Sequence, residues 1–214
     1  NNALALATIM TIPLLAYFYI MSTKRWIRAA IVVSIVLCAA SALGSYSRGG
    51  LLAIIAMSAF LWIKAKGKLW LGLVVVLLGL GFYSFMPSKW EERMDTIGTY
   101  EQDRSAQGRI KTWTMLTNLA LDRPLVGGGF EPYTPEVFRR YLPDYVRVHS
   151  AHSIYFQVLG EHGFVGLALF IVFWMLTWQL SRRIIKRTKN DPQSKWAYWL
   201  AAMIQVSLVG YFVG

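Results

Sequence analysis

Four groups of residues in this chain are of types that do chemistry. The string Ser45-Tyr46-Ser47-Arg48-Gly49-Gly50 stands at the start of an apolar run. A helix beginning there offers free backbone N–H groups and the positive end of its dipole. Its glycines admit close approach, and Arg48 adds a planar, two-pronged donor suited to phosphate. This is an anion site in outline; the plainer reading is that Arg48 snorkels to an interface from the end of a short helix. The second string, Arg147-Val148-His149-Ser150-Ala151-His152-Ser153, enters another apolar run and holds two of the three histidines. If residues 149–155 are helical, His149 and His152 share a face with Tyr155. A helix N-terminus would then keep an imidazole neutral near pH 7 and able to accept a proton; the plain alternative is a hydrogen-bonded interfacial histidine. Arg147 is a supporting candidate by proximity alone. Third, Arg109 opens an amphipathic stretch, where a cation opposes the helix dipole and needs some other reason to be there. Glu161, followed by His162, falls inside an apolar run. A carboxylate there is predicted to face a bundle interior or a water-filled cleft, where it orients a cation or pairs structurally.

Other chemistries fit less well. A zinc site on His149, His152 and Glu161 has only one His-x-x-His and no further ligand at standard spacing, so no metal is expected. No Gly-x-Ser-x-Gly turn supports a serine nucleophile. Gly127-Gly128-Gly129 lacks the preceding strand, the spacing and the lysine of a phosphate loop, and it reads as a flexible corner. No cofactor is expected.

The elements that must position these residues follow from composition. Of 214 residues, 56% are hydrophobic and 15% charged, with mean hydropathy +0.42. The composition is that of an integral membrane protein, and it excludes disorder, collagen and a disulfide scaffold. The single cysteine, Cys38, sits in an apolar stretch and reads as structural. Apolar runs predict an all-α protein with about six transmembrane helices, over 3–21, 27–44, 49–63, 69–86, 154–180 and 196–214. The chain divides into four spans within 1–86, a large, mainly helical loop at 87–150, and two spans within 151–214. Asn1 in place of Met, and Gly214 inside an apolar run, suggest a piece of something longer, truncated at both ends.

Charge orients the spans. The connections after spans one, three and five hold twelve basic residues and one acid, Asp191, which accounts for the whole net charge of +11. The segment 87–150 holds nine basic and nine acidic residues. The positive-inside rule places the basic connections in the cytoplasm, and residues 45–49 and the large loop outside. The charge is thus distributed as topology requires, and a nucleic-acid partner is not expected. Lys24 and Arg25 follow the first apolar run rather than precede it, which argues for a span and against a signal peptide. Pro13 predicts a local kink in that span. Within the loop, 108–121 reads as an amphipathic helix with Ile110, Trp113, Leu116 and Ala120 on its apolar face and Thr112 elsewhere. Thr134-Pro135-Glu136 caps a second, short helix running to about Tyr141.

Outside a cytoplasmic membrane there is no supply of ATP or sugar nucleotide, so an energy-rich donor must arrive on a lipid. A polyprenyl-pyrophosphate sugar suits arginines at a helix start. Transfer from it needs a base for the acceptor hydroxyl but no acid for so good a leaving group, which matches a histidine with arginines and no carboxylate dyad.

At these residues the sequence resembles the O-antigen ligase and polymerase superfamily. The resemblance rests on Asn1-Asn2 before a span, Ser47-Arg48-Gly49-Gly50, Gly108-Arg109 with Trp113, Pro124 with Gly127 to Phe130, His152-Ser153 with Gln157, and Gly160-Glu161-His162-Gly163. The string from His149 to Gly163 is most similar to the exosortase-associated branch, O-glycosylation ligases. The resemblance implies a metal-independent, inverting glycosyltransferase of the bacterial inner membrane, with its active face periplasmic. Its donor would be an undecaprenyl-pyrophosphate-linked glycan and its acceptor lipid A core or protein, with membrane lipids around it. By position, His152 would activate the acceptor, and Arg48 and Arg109 would bind pyrophosphate. A polymerase of the same chemistry, or a non-catalytic scaffold or transporter of lipid-linked glycan, are the rival expectations.

Overall fold

Hydroxyls inside apolar helices must find partners where water is absent, and here they bond back along their own helices. Thr8 donates to the Leu4 carbonyl (2.6 Å), Thr11 to Ala7 (2.8 Å) and Ser34 to Ala30 (3.0 Å). The structure, a computed structural model, describes residues 2–45, 47–64, 104–143 and 147–214, without the side chains of Asn2, Arg48, Arg104 and Ser105. The described residues are helical throughout their regular structure. The helices are α1 (Asn2–Met21), α2 (Arg25–Gly44), α3 (Arg48–Lys64), α4 (Arg104–Asp122), α5 (Pro135–Tyr141), α6 (Ile154–Thr188) and α7 (Lys195–Val213).

Among the described residues four helices are long and apolar enough to cross a membrane, α1, α2, α6 and α7; α3 is a shorter apolar helix. The predicted spans at 3–21, 27–44, 49–63 and 196–214 coincide with α1, α2, α3 and α7, whereas 69–86 lies outside the described residues. The helix expected to stop near residue 180 runs on to Thr188. Its basic continuation contains good helix formers and no breaker until Asn190-Asp191-Pro192. α1 continues through Pro13.

The described residues separate into two compact units, one of α1–α3 with residues from 176 onward, the other of residues 104–175. In the first, α1 packs on α2 and α7, and α3 packs on α7. Its core joins Ile9, Ala42, Ala53, Met57, Met203 and Val206. Small residues let these backbones approach: a Cβ on Gly210 would stand 2.3 Å from the Met57 Sδ. Polar links cross the unit, with Ser207 donating to the Met10 carbonyl (2.8 Å) and Lys64 to buried Gln205 (2.5 Å). Large apolar side chains such as Trp26, Leu37 and Ile63 point outward. That pattern fits helices solvated by lipid, which provides no hydrophobic drive to bury them.

The second unit is built on α4. Its buried stripe is Gly108, Thr112, Met115, Leu116, Leu119 and Ala120, which packs with Phe138 of α5 and Ala151. The apolar face expected from Ile110 is rotated: Ile110 is exposed and Thr112 fully buried. Thr112 tolerates burial because its hydroxyl bonds to the Gly108 carbonyl (2.9 Å) and the His149 carbonyl (3.4 Å). α5 starts as its sequence predicts, with the Thr134 Oγ1 accepting from the Val137 amide (3.3 Å) and Pro135 at the first helical position.

Candidate active site

The segment entering α6 is not helical where the histidines lie. Residues 147–153 are irregular and α6 begins only at Ile154, so His149, His152 and Tyr155 do not share a helical face. The segment is instead pinned to α4. The Trp113 indole Nε1 donates to the Ala151 carbonyl (2.7 Å), and its ring stacks on Phe156 at 4.8 Å and 7°. Gly108 makes room for the His149 ring, whose Cδ2 would lie 3.1 Å from a Cβ at that position. Between these anchors His152 adopts a left-handed backbone, φ +47°. A non-glycine residue held there costs on the order of 1–2 kcal/mol. Its imidazole stays accessible, with Nε2 2.9 Å from the Ser150 hydroxyl.

Partial desolvation, then the positive charge of Arg109, push the His152 pKa below the ordinary histidine value. The helix N-terminus expected at His149 to disfavour imidazolium is absent there, and desolvation and Arg109 act in the same direction. Arg109 is half-buried, with its Nε shielded from solvent. It does not open its helix: α4 starts five residues earlier, at Arg104, so the dipole argument lapses and proximity to His152 replaces it. Because only the neutral imidazole accepts a proton, removing the neighbouring cation raises the pKa and moves loss of base function to higher pH. Arg109→Gln should shift the His152 titration upward in NMR, and with it the acid limb of any activity that uses this base. An unmoved titration would break the electrostatic link.

Glu161 is buried on α6. Its carboxylate accepts from Gln157 Nε2 one turn earlier (3.0 Å) and lies 3.8 Å from His162 Nε2. The structure therefore gives it local pairing. Nearby, burial and then the Glu161 charge raise the Tyr133 pKa. Arg147 is exposed at the start of the irregular segment. Among the described residues no three His, Cys, Asp or Glu side chains gather as a metal site.

The glycine triplet is not the flexible corner its composition suggests. α6 kinks at Gly163 (φ +67°, ψ −166°), which frees carbonyls above the break. The triplet takes them up: Gly128 N–H donates to the Gly160 carbonyl (2.8 Å) and Gly129 N–H to that of Glu161 (3.0 Å). Phe164 N–H returns a bond to the Pro124 carbonyl (2.8 Å). A Cβ on Gly127 would come within 2.6 Å of the Gly160 oxygen. Sequence reasoning missed this lock, and it missed Ser150 and Trp113 as supports of His152. The available signal was the pairing of two glycine-bearing strings, each judged singly.

Arg48 opens α3 in the other unit, as its sequence predicts, and its side chain lies outside the described part of the structure. Ser47 is buried and its hydroxyl accepts from the Gly50 amide (3.1 Å), so one donor expected to be free for an anion is capped.

The assembled pieces in the second unit are an imidazole and a guanidinium, carried by and pinned to one amphipathic helix. A model of the O-antigen ligase family matches residues 33–171 of the chain. No curated protein matches it.

Proposed function

The chain belongs to the O-antigen ligase family, and from that premise we propose that it transfers glycan from undecaprenyl-pyrophosphate to a hydroxyl of lipid A core or protein. Membership gives membrane glycan handling of the ligase or polymerase type; the donor, the acceptor and the residue roles are the proposal. The observation that carries it is the accessible imidazole of His152, its Nε2 2.9 Å from the Ser150 hydroxyl, with desolvation and the Arg109 charge lowering its pKa. In the proposed step His152 takes the proton of the acceptor hydroxyl while that oxygen bonds to the anomeric carbon from the side opposite the leaving group. The bond from that carbon to the pyrophosphate oxygen breaks with its electron pair, configuration inverts, and undecaprenyl pyrophosphate departs. Arg109 and Arg48 neutralise its charge. The scheme uses no metal and no separate acid. The asymmetry of basic residues along the chain supports a periplasmic face for this chemistry in the inner membrane.

The test is a transfer assay with full-length protein, purified lipid-linked glycan and, in separate reactions, lipid A core, protein and a second lipid-linked glycan as acceptors. Product on either of the first two supports the proposal; extension of the lipid-linked chain alone replaces the ligase with a polymerase. Arg48→Lys should lower transfer about tenfold or more, since an ammonium cannot reproduce a two-pronged charge-assisted contact. Unchanged transfer in that variant would reduce Arg48 to an interface anchor.

A further inference from the structure

From the last turn of α4 toward α5 the second unit shows a combination that water does not call for. Leu121, Leu125, Val126 and Phe130 are exposed by 64%, 69%, 69% and 83%, within a stretch of ten residues. In the same stretch the backbone is closed on itself and on α6. Arg123 N–H bonds to Leu119 (2.9 Å), Gly127 to Arg123 (2.9 Å), Gly128 to Gly160 and Gly129 to Glu161. An aqueous loop shows the reverse, with polar side chains outward and backbone groups left to solvent. Exposed apolar side chains, with the amides of Arg123, Gly127, Gly128 and Gly129 bonded within the protein and the charges of Asp122 and Arg123 at its start, suit irregular backbone lying at the edge of a membrane rather than in water.

The bonds to α6 fix the level. They hold the elbow beside Gly160–Phe164, where the exposed surface of α6 becomes apolar through Phe164, Val165 and Leu169. The elbow's side chains thus continue the lipid-facing surface of a membrane-spanning helix. The ring of Phe130 meets the half-exposed imidazole of His162 edge-on at 5.0 Å, an aromatic–polar pairing suited to the boundary of acyl chains and headgroups.

We propose that residues 121–130 form a membrane-inserted elbow, with Leu121, Leu125, Val126 and Phe130 embedded among lipid acyl chains at that boundary. The occupant of this surface is lipid. The inference rests on α6 as a membrane span and is independent of the transfer chemistry.

Single cysteines at Leu125, Val126, Leu169 and Arg139, in full-length Cys38→Ser protein reconstituted in liposomes, can carry nitroxide labels whose collisions with oxygen and with a water-soluble nickel chelate are compared. Labels at 125 and 126 should favour oxygen as the label at 169 does, while the label on exposed Arg139 of α5 favours nickel. Nickel access at 125 and 126 equal to that at 139 would overturn the proposal, placing the elbow in water. Shielding from both reagents would overturn it too, by showing a protein cover. All four positions are exposed, so the labels leave the core intact.

Discussion

Replacement of His152 by alanine in the full-length protein should reduce glycan transfer by about two to four orders of magnitude, the usual contribution of a positioned general base. The expectation follows from three features of the site. The imidazole is accessible, its pKa is held below the ordinary value by desolvation and by Arg109, and its ring nitrogen already engages a hydroxyl, that of Ser150. Binding of the lipid-linked donor should survive, because the residues proposed to hold the pyrophosphate are arginines. Donor retention by the purified variant and its turnover must be measured together. Undiminished transfer would remove His152 from the mechanism and assign the acceptor's proton to another group. Since the backbone there is left-handed, His152→Asn is the companion variant: asparagine tolerates that conformation better than alanine and offers no base. Loss in both variants, with both folded, isolates the proton acceptor from the turn that carries it.

The second large effect is structural. Gly163→Ala should destabilise the second unit by about 3 kcal/mol or more, combining a positive φ with steric conflict. The added Cβ would stand 2.4 Å from the Pro124 oxygen, a backbone atom that cannot move without breaking its bond to Phe164. Gly129 is the internal control. Its φ is +81°, yet nothing lies within 4 Å of a Cβ built there, so Gly129→Ala should lose only about 1 kcal/mol of conformational strain. Thermal unfolding in detergent, followed with limited proteolysis of the 104–175 region, compares the two. Equal effects would show that the contact between loop and kink contributes nothing beyond backbone preference.

These two sites also mark how far the sequence could be read. Helix positions in the membrane followed from apolar length, since hydrocarbon leaves a backbone no alternative, and the Thr134 cap followed from local chemistry. His152 and Arg109 are identifiable as types in sequence, and in the structure the charge of Arg109 acts on the His152 imidazole. The local reasons for them do not hold: the helix face at 149–155 does not form, and Arg109 lies in the second turn of α4. The rotated face of α4 has the same origin. A fully buried Thr112 depends on a carbonyl from His149, a partner that periodicity within the helix cannot reveal. The glycine triplet shows the limit most clearly. Its composition indicates freedom, whereas its conformation is dictated by carbonyls released at a kink far along the chain.

The bonds from Gly128 and Gly129 to Gly160 and Glu161 also close a ring. The described residues between those ends, including α5, His149 and His152, belong to one tethered excursion with fixed feet. The entropy of bringing its ends together is spent once, at the glycines. The turn that carries the imidazole is thereby held twice, by side chains of α4 at its middle and by main chain alone where the excursion begins and ends.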